Sequence, residues 1–205
     1  MSDDGTARLW ETTHWTRVHE LGRAGPQGRG VAGASFSPDG RLVVVTRSAG
    51  KAATLWDVGS GKLLQTLRGH RRPLTFASFS PDSKLVVTTS RDRDARIWKV
   101  GRKRSLHVLE GHLTVVHQAR FSRDGRWVVT AGPQSAGLWA VRTGRLLFFL
   151  DGHHKPLSSA SFSRNGKLVL TGGEDGMIRL YRCEVCAGID GLVALAKRRL
   201  AVLAG

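Results

Sequence analysis

The sequence is poor in cysteine and tyrosine and has no long apolar run. It contains two cysteines and one tyrosine among 205 residues. A secreted scaffold held together by several disulfides needs more cysteines, so the composition argues against that class. No stretch approaches the about eighteen consecutive apolar residues that a transmembrane helix requires, and we expect no membrane span.

Targeting and nucleotide-binding motifs are also missing. Residues 1–6 read MSDDGT, with neither a basic nor an apolar segment, so we expect no secretory signal and a cytoplasmic location. The chain contains neither the lysine-bearing glycine-rich loop of nucleotide hydrolases nor the catalytic loop of protein kinases. The sequence therefore offers no motif for nucleotide-dependent catalysis.

Acidic residues are scarce relative to basic ones. The chain has 32 lysines and arginines against 16 aspartates and glutamates, a net charge of +16. Such an excess favours anionic partners, whether nucleic acid, acidic proteins or anionic membranes, but it does not indicate a fold. The simpler interpretation is that arginines decorate a solvated surface, because runs of like charge usually face water.

What the chain does have is a repeat of about 42 residues, marked by three motifs in phase. The dipeptide Phe-Ser opens a turn at Phe36, Phe79, Phe121 and Phe162. An aromatic residue ends a later segment at Trp10, Trp56, Trp98, Trp139 and Tyr181. The dipeptide Gly-His ends at His70, His112 and His153.

Each repeat has the pattern of strands rather than helices. Short runs rich in valine, leucine and threonine follow the Phe-Ser turns, at residues 42–46, 85–89, 127–130 and 168–171. Such runs bounded by turn residues indicate β-strands, and Pro-Asp-Gly is typical of the turn between two of them. The repeat therefore predicts four strands per unit and an all-β fold.

These motifs resemble those of the WD-repeat β-propeller family, over residues 1 to about 182. The resemblance implies about four to five four-stranded blades in a partial or open ring, followed by a short C-terminal α-helix. The expected units are a partial blade at 1–21, blades at about 33–68, 74–109, 115–150 and 157–181, and a tail at 183–205.

The expected blades are too few for the usual seven-bladed ring of that family. Three explanations remain open: the chain is the C-terminal part of a longer or split propeller, it assembles with another fragment or with itself, or it closes as a small ring. In the last case the segment from Trp15 to Leu21 would supply the missing strand of the final blade. An open array leaves sheet edges and faces available to another chain.

The resemblance also assigns a hydrogen-bonded set to each blade, made of the histidine, a threonine on the second strand, an aspartate in the next turn and the aromatic residue. A buried indole or imidazole N–H needs a partner, which gives the set its physical purpose. The sets are His70, Thr88, Asp92 and Trp98; His112, Thr130 and Trp139; and His153, Thr171, Asp175 and Tyr181. The second set lacks the aspartate, and the unit that ends at Trp56 lacks both histidine and aspartate.

We predict no enzyme and no catalytic, cofactor or metal site. The polar sets recur once per blade, as a structural role requires and a single active site does not. Cys183 and Cys186 have the spacing of half a zinc site or a redox pair, but neither a second ligand pair nor a thioredoxin-like context accompanies them. We expect them to pack as two small residues where the chain leaves the last blade.

The tail beyond these cysteines predicts a basic amphipathic helix. Apolar residues between Ile189 and Leu203 follow helical spacing, and Lys197 to Arg199 lie near its end. We expect the helix to cap an exposed blade face, with partner docking or membrane contact as alternatives. The Cys-Glu-Val-Cys segment followed by such a helix resembles the tails of bacterial WD-repeat domains, which often follow a signalling module.

The leading functional prediction is a non-catalytic protein-interaction scaffold, the sensing or docking part of a bacterial signalling protein. The alternative is a basic propeller that binds nucleic acid or another polyanion. The candidate partner-binding residues lie in loops on both faces of the propeller, which weakens the alternative because a dedicated groove concentrates charge on one face. They are Arg71, Arg72, Arg91, Arg93, Arg102, Lys103 and Arg104.

Overall fold

The structure, a computed structural model, describes residues 5–22, 30–183 and 186. This part of the chain folds into five antiparallel sheets, which we call blades 1 to 5 in chain order. Blade 1 has two strands, blades 2 to 4 have four each, and blade 5 has three among the described residues. The described part of the chain contains no helix that is long and apolar enough to cross a membrane.

The strands follow one another in each blade without crossovers. Blade 1 contains β1 (Arg8–Trp10) and β2 (Arg17–Glu20). Blade 2 contains β3 (Val31–Phe36), β4 (Leu42–Arg47), β5 (Ala52–Asp57) and β6 (Leu63–Arg68). Blade 3 contains β7 (Leu74–Phe79), β8 (Leu85–Ser90), β9 (Ala95–Lys99) and β10 (Ser105–Leu109). Blade 4 contains β11 (Gln118–Phe121), β12 (Trp127–Ala131), β13 (Ala136–Ala140) and β14 (Leu146–Leu150). Blade 5 contains β15 (Leu157–Phe162), β16 (Leu168–Gly173) and β17 (Ile178–Arg182).

The Phe-Ser turns join the first two strands of each blade through one repeated contact. In blade 3 the Ser80 hydroxyl donates to the Asp82 carboxylate over 2.6 Å. The same oxygen accepts the backbone N–H of Leu85 at 2.9 Å, so one side chain closes the turn and starts β8. Ser37, Ser122 and Ser163 make the equivalent pair of bonds in blades 2, 4 and 5.

The blades are held together by stacking of their faces. We call the face that carries the third-strand aromatic the front face and the opposite one the back face. Between blades 3 and 4, Val87 and Ile97 of one back face pack with Val128 and Trp139 of the next front face. Equivalent clusters join blades 1 and 2, blades 2 and 3, and blades 4 and 5. The four apolar clusters found among the described residues thus each lie between neighbouring blades, as in other repeat proteins.

Among the described residues the array is open, because blades 1 and 5 each have one face that no other blade covers. On the back face of blade 5, Leu170 is 41% exposed, Ile178 71% and Leu180 62%. On blade 1, Trp10 is 54% exposed. The all-β fold and the open series of blades are confirmed, whereas closure as a small ring is wrong. In particular, β2 pairs with β1 and does not complete blade 5.

The end of blade 5 differs from the sequence expectation in one respect. Cys183 and Cys186 are joined in a disulfide, with their Cα atoms 5.1 Å apart, instead of packing as two unlinked residues. Cys183 is nevertheless buried in the cluster between blades 4 and 5, because the chain leaves β17 along that interface. The predicted C-terminal helix lies outside the described residues.

Stacking as the source of stability predicts opposite results at two equivalent positions. Ile97 is fully buried on the back face of blade 3, and Leu180 occupies the same register position on blade 5, where no blade covers it. Ile97→Ala should cost about 2–5 kcal/mol of unfolding free energy, whereas Leu180→Ala should change it by less than about 0.5 kcal/mol. Urea denaturation at low protein concentration measures both, and equal losses would contradict the stacking account.

Candidate functional site

A buried chain of hydrogen bonds crosses blade 3 from its third strand to its loops. The indole N–H of Trp98 donates to Thr88 Oγ1 at 2.8 Å. Thr88 Oγ1 also lies 2.8 Å from His70 Nε2, and His70 Nδ1 lies 2.9 Å from a carboxylate oxygen of Asp92. All four groups are satisfied when His70 carries its proton on Nδ1, donates to Asp92 and accepts from the threonine hydroxyl.

Burial and hydrogen bonding decide the charges in this chain. Burial lowers the pKa of His70 and outweighs the opposing attraction of Asp92, so the imidazole stays neutral. Burial alone would raise the pKa of Asp92, but the backbone N–H of Arg71 and the His70 ring bind the carboxylate and lower the pKa overall. Asp92 is therefore ionised and fully engaged within the blade.

Blade 5 repeats the chain of bonds without its aromatic member. His153 contacts Thr171 at 2.8 Å and Asp175 at 2.9 Å. The Tyr181 hydroxyl instead donates to the backbone oxygen of Asp151 at 2.8 Å, because the phenol oxygen lies further from the strand than an indole nitrogen. Arg179 adds an ion pair with Asp175 at 3.0 Å that the sequence analysis did not foresee. Burial opposes ionisation of Asp175, but hydrogen bonds from His153 and Arg179 keep its pKa well below the usual range.

Blade 4 keeps only the inner half of the chain of bonds. Thr130 Oγ1 accepts from Trp139 Nε1 at 2.8 Å and contacts His112 Nε2 at 2.7 Å. The turn that carries an aspartate in blade 3 begins with Gly132 here, and a side chain at that position would collide with the His112 ring. Without a carboxylate beside it, His112 has its pKa lowered by burial to about 4.

Blade 2 lacks the histidine and satisfies its tryptophan locally. The Trp56 indole N–H donates to Thr54 Oγ1 at 2.9 Å on the same strand. The four blades therefore share a satisfied aromatic residue more consistently than they share a full polar chain. The histidines are buried, and both ring nitrogens of His70 are occupied, so this histidine joins a strand of blade 3 to a loop.

The polar chain of blade 3 fixes two loops that carry four exposed arginines. We call Arg71, Arg72, Arg91 and Arg93 the arginine platform. The backbone N–H of Arg71 donates to Asp92 at 2.8 Å, and the backbone N–H of Arg91 donates to the Pro73 oxygen at 2.9 Å. Ser90 donates from its hydroxyl to the backbone oxygen of Arg72 at 2.9 Å. Hydrogen bonds therefore join the loops β6–β7 and β8–β9, and the four exposed arginines lie on these two loops.

Arg93 occupies a backbone conformation that disfavours it. Its φ is +79°, in the left-handed region that glycine adopts easily and other residues adopt at a cost. In blade 5 the equivalent position is Gly176, with a φ of +75°. The fold thus accommodates glycine there, and Arg93 carries a backbone cost that Gly176 avoids.

The remaining candidates lie at the opposite end of the strands. Arg102, Lys103 and Arg104 are exposed in the β9–β10 loop, which antiparallel pairing places away from the platform. Gln65 of blade 2 holds this loop, with its amide donating to the Arg102 oxygen at 2.6 Å and accepting from the Gly101 N–H at 2.7 Å. The structure therefore does not bring the seven basic candidates together.

Blade 4 carries a groove of about 830 Å³ that no sequence motif indicated. Three exposed arginines, Arg126, Arg142 and Arg145, line it together with the Trp127 ring and Leu147. The Trp127 indole nitrogen is buried and has no hydrogen-bond partner. These residues come from the β11–β12 and β13–β14 turns, which the pairing of Trp127 with Ala140 places side by side at one end of blade 4. Only their basic and aromatic character was visible in the sequence.

Antiparallel four-stranded sheets stacked face to face, each with an aromatic residue on its third strand, define a β-propeller repeat protein. The family model described as WD domain, G-beta repeat matches residues 61–99, 103–139 and 144–182, more than half of the chain. The chain therefore belongs to the WD-repeat family. Proteins of this family generally act as protein-interaction scaffolds and are generally non-catalytic.

Known proteins are similar to parts of this chain. The WD40 repeat-containing protein HOS15 of Arabidopsis thaliana is 30% identical over 95 residues, which cover 40% of this chain and 14% of that protein. The WD repeat and SOCS box-containing protein 1 of Homo sapiens is 38% identical over 52 residues, covering 25% and 12%. An uncharacterized WD repeat-containing protein of Synechocystis is 38% identical over 52 residues, covering 25% and 15%. The matches span less than a sixth of each relative.

The lowered pKa of His112 predicts a pH-dependent stability. Unfolding lets this histidine take up a proton near its ordinary pKa of 6.5, whereas the folded ring stays neutral down to about pH 4. The wild-type protein should therefore lose stability as the pH falls through this interval. His112→Gln removes this term, so its deficit in unfolding free energy at pH 7 should shrink by up to about 3 kcal/mol at pH 4. Urea denaturation across the range measures both, and parallel profiles would contradict the neutral buried ring.

Proposed function

We propose that this chain is a non-catalytic protein-interaction scaffold that binds an acidic segment of a partner protein on the arginine platform. The observation that carries the proposal is the hydrogen-bonded pair of loops around Asp92, which carries four exposed arginines at one end of the strands of blade 3. A preorganised site binds more tightly because less side-chain and loop freedom is lost on association.

Arginine suits this task because its planar guanidinium forms two parallel hydrogen bonds with a carboxylate. Asp92 does not compete for the ligand, since its oxygens already accept from His70 and Arg71. The strained backbone of Arg93 supports the same interpretation, because the chain keeps a charged side chain where glycine would cost less.

We further propose that the chain is the sensing or docking part of a bacterial signalling protein and works in the cytoplasm. The similarity to a Synechocystis WD-repeat protein supports a bacterial setting. In such an arrangement the blades select a partner while a separate module supplies the chemistry. The uncovered faces of blades 1 and 5 support the related proposal that additional blades come from another chain or a second copy.

The alternative, binding of nucleic acid or another polyanion, rests on the net charge of +16 and on the second basic cluster at Arg102, Lys103 and Arg104. A polyanion would contact the basic loops at both ends of the blade 3 strands, through sequence-independent contacts with its phosphate groups. The platform proposal requires only the loops at one end of the strands. Variants at the two ends can therefore distinguish the two functions.

The test uses Arg93→Gly, which removes one platform charge while relieving backbone strain. Fluorescence anisotropy with a labelled glutamate- and leucine-rich peptide at near-physiological salt should show binding weakened by about tenfold. The unfolding free energy should stay equal or rise, because glycine adopts the left-handed conformation without strain. Arg104→Ala, in the loop at the opposite end of the strands, is the matched control and should leave peptide binding unchanged.

The same titration with single-stranded DNA separates the alternative. If DNA binds more tightly than the peptide, and both variants weaken it equally, the polyanion function is favoured. Peptide binding that is indifferent to Arg93→Gly would overturn the platform proposal.

A further inference from the structure

The back face of blade 5 has the composition of a buried interface. In blade 3, Val87 pairs with Ile97 and Thr89 pairs with Ala95 across β8 and β9. In blade 5, Leu170 pairs with Leu180 and Gly172 pairs with Ile178 across β16 and β17. Leu170, Leu180 and Ile178 therefore occupy the register positions of Val87, Ile97 and Ala95. The blade 3 residues are fully buried by blade 4, whereas the blade 5 residues are uncovered.

The front face of blade 1 presents the other half of the same interface. Trp10 pairs with Arg17 at a register shift between β1 and β2. Trp139 pairs with Leu146 at the equivalent shift between β13 and β14. Trp139 is 1% exposed because the back face of blade 3 covers it, whereas Trp10 is 54% exposed and no blade in the described part of the chain covers it. Val18 on β2 is exposed as well and extends the apolar character of this end.

One chain thus carries both halves of a contact that it makes repeatedly inside itself. The internal interfaces show what covers a back face of this kind, namely a front face led by a third-strand aromatic residue. We propose that a second copy of this chain docks its blade 1, through Trp10, on the back face of blade 5. The contact goes beyond the platform proposal, because the residues involved lie on other blades.

This geometry makes the association head-to-tail. Each interface takes its back face from one copy and its front face from another, so the free ends of a dimer can add further copies or close into a ring. The copies carry the same net charge of +16 and repel each other at low ionic strength. Salt should therefore strengthen self-association, whereas it should weaken binding of an acidic segment to the arginine platform.

The test is a mixing experiment with two single variants of the full chain. Sedimentation velocity over a range of concentrations should show wild-type protein associating beyond the monomer. Ile178→Lys places a charge on the blade 5 back face of each copy. Trp10→Ala removes the aromatic side chain from the blade 1 front face of each copy. Each variant alone should weaken self-association by about tenfold or more. Both positions are already exposed, so circular dichroism and urea denaturation should show an unchanged fold.

An equimolar mixture of the two variants gives the distinctive result. The intact back face of the Trp10→Ala protein meets the intact front face of the Ile178→Lys protein, which restores one interface. The mixture should form dimers with wild-type affinity and no larger species. Leu113→Lys is the matched control, because it introduces the same charge at a highly exposed leucine in the β10–β11 loop. It should leave self-association unchanged.

Three outcomes would overturn the proposal. The wild-type chain could remain monomeric at all concentrations and salt conditions. If it associates only after deletion of residues 187–205, its own C-terminal segment covers the face. If Ile178→Lys abolishes association, Trp10→Ala does not, and the mixture fails to recover, two back faces pair with each other and blade 1 is not involved.

Discussion

Everything in this structure depends on the contact between the back face of one blade and the front face of the next. Each of the central sheets carries apolar side chains on both faces, which a single sheet cannot bury by itself. Val87 and Ile97 become buried only because Trp139 and Val128 lie against them. The free energy of unfolding is therefore approximately a sum of contributions from neighbouring blades. The two outermost faces lack such a contribution, because no described blade packs against them.

The polar chains inside the blades connect this packing to the surface. In blade 3, Trp98 contributes its ring to the interface and its N–H to Thr88, so the same side chain serves both functions. From Thr88 the bonds run through His70 to Asp92, which holds the loops of the arginine platform. Packing between blades is thereby coupled to the geometry of the exposed loops. This coupling is the physical basis for using such a fold as a rigid scaffold.

Much of this arrangement could be predicted from the sequence because it recurs in phase. The Phe-Ser turns, Gly-His pairs and third-strand aromatics each mark an equivalent position, and the structure places Trp98 and Trp139 in equivalent buried settings. The serine of each Phe-Ser pair also indicates the turn, since a serine two residues before an acidic or amide side chain favours a turn that its hydroxyl closes. The Tyr181 hydroxyl does not join the polar chain, because the phenol oxygen lies further from the strand than an indole nitrogen and contacts Asp151 instead. The pattern of residues did not show this difference.

Other features depend on which strands lie side by side and had no local signal. The separation of Arg102, Lys103 and Arg104 from the platform follows from antiparallel pairing, and the blade 4 groove joins residues from two turns that strand pairing places side by side. The exposed Leu170, Ile178 and Leu180 read as ordinary core residues in the sequence, because their pattern is that of a buried blade. Only the absence of a neighbour on that face, among the described residues, changes their meaning.

Native-state amide hydrogen exchange tests the central claim, that stability is a sum over stacked neighbours. At a protein concentration low enough to keep the chain monomeric, strands of blades 3 and 4, covered on both faces, should exchange most slowly, and protection should fall towards β1–β2 and β15–β17. A gradient from the centre to the ends is the predicted result. Uniform protection across all five blades, or slower exchange in blade 1 or blade 5 than in blade 3, would contradict it.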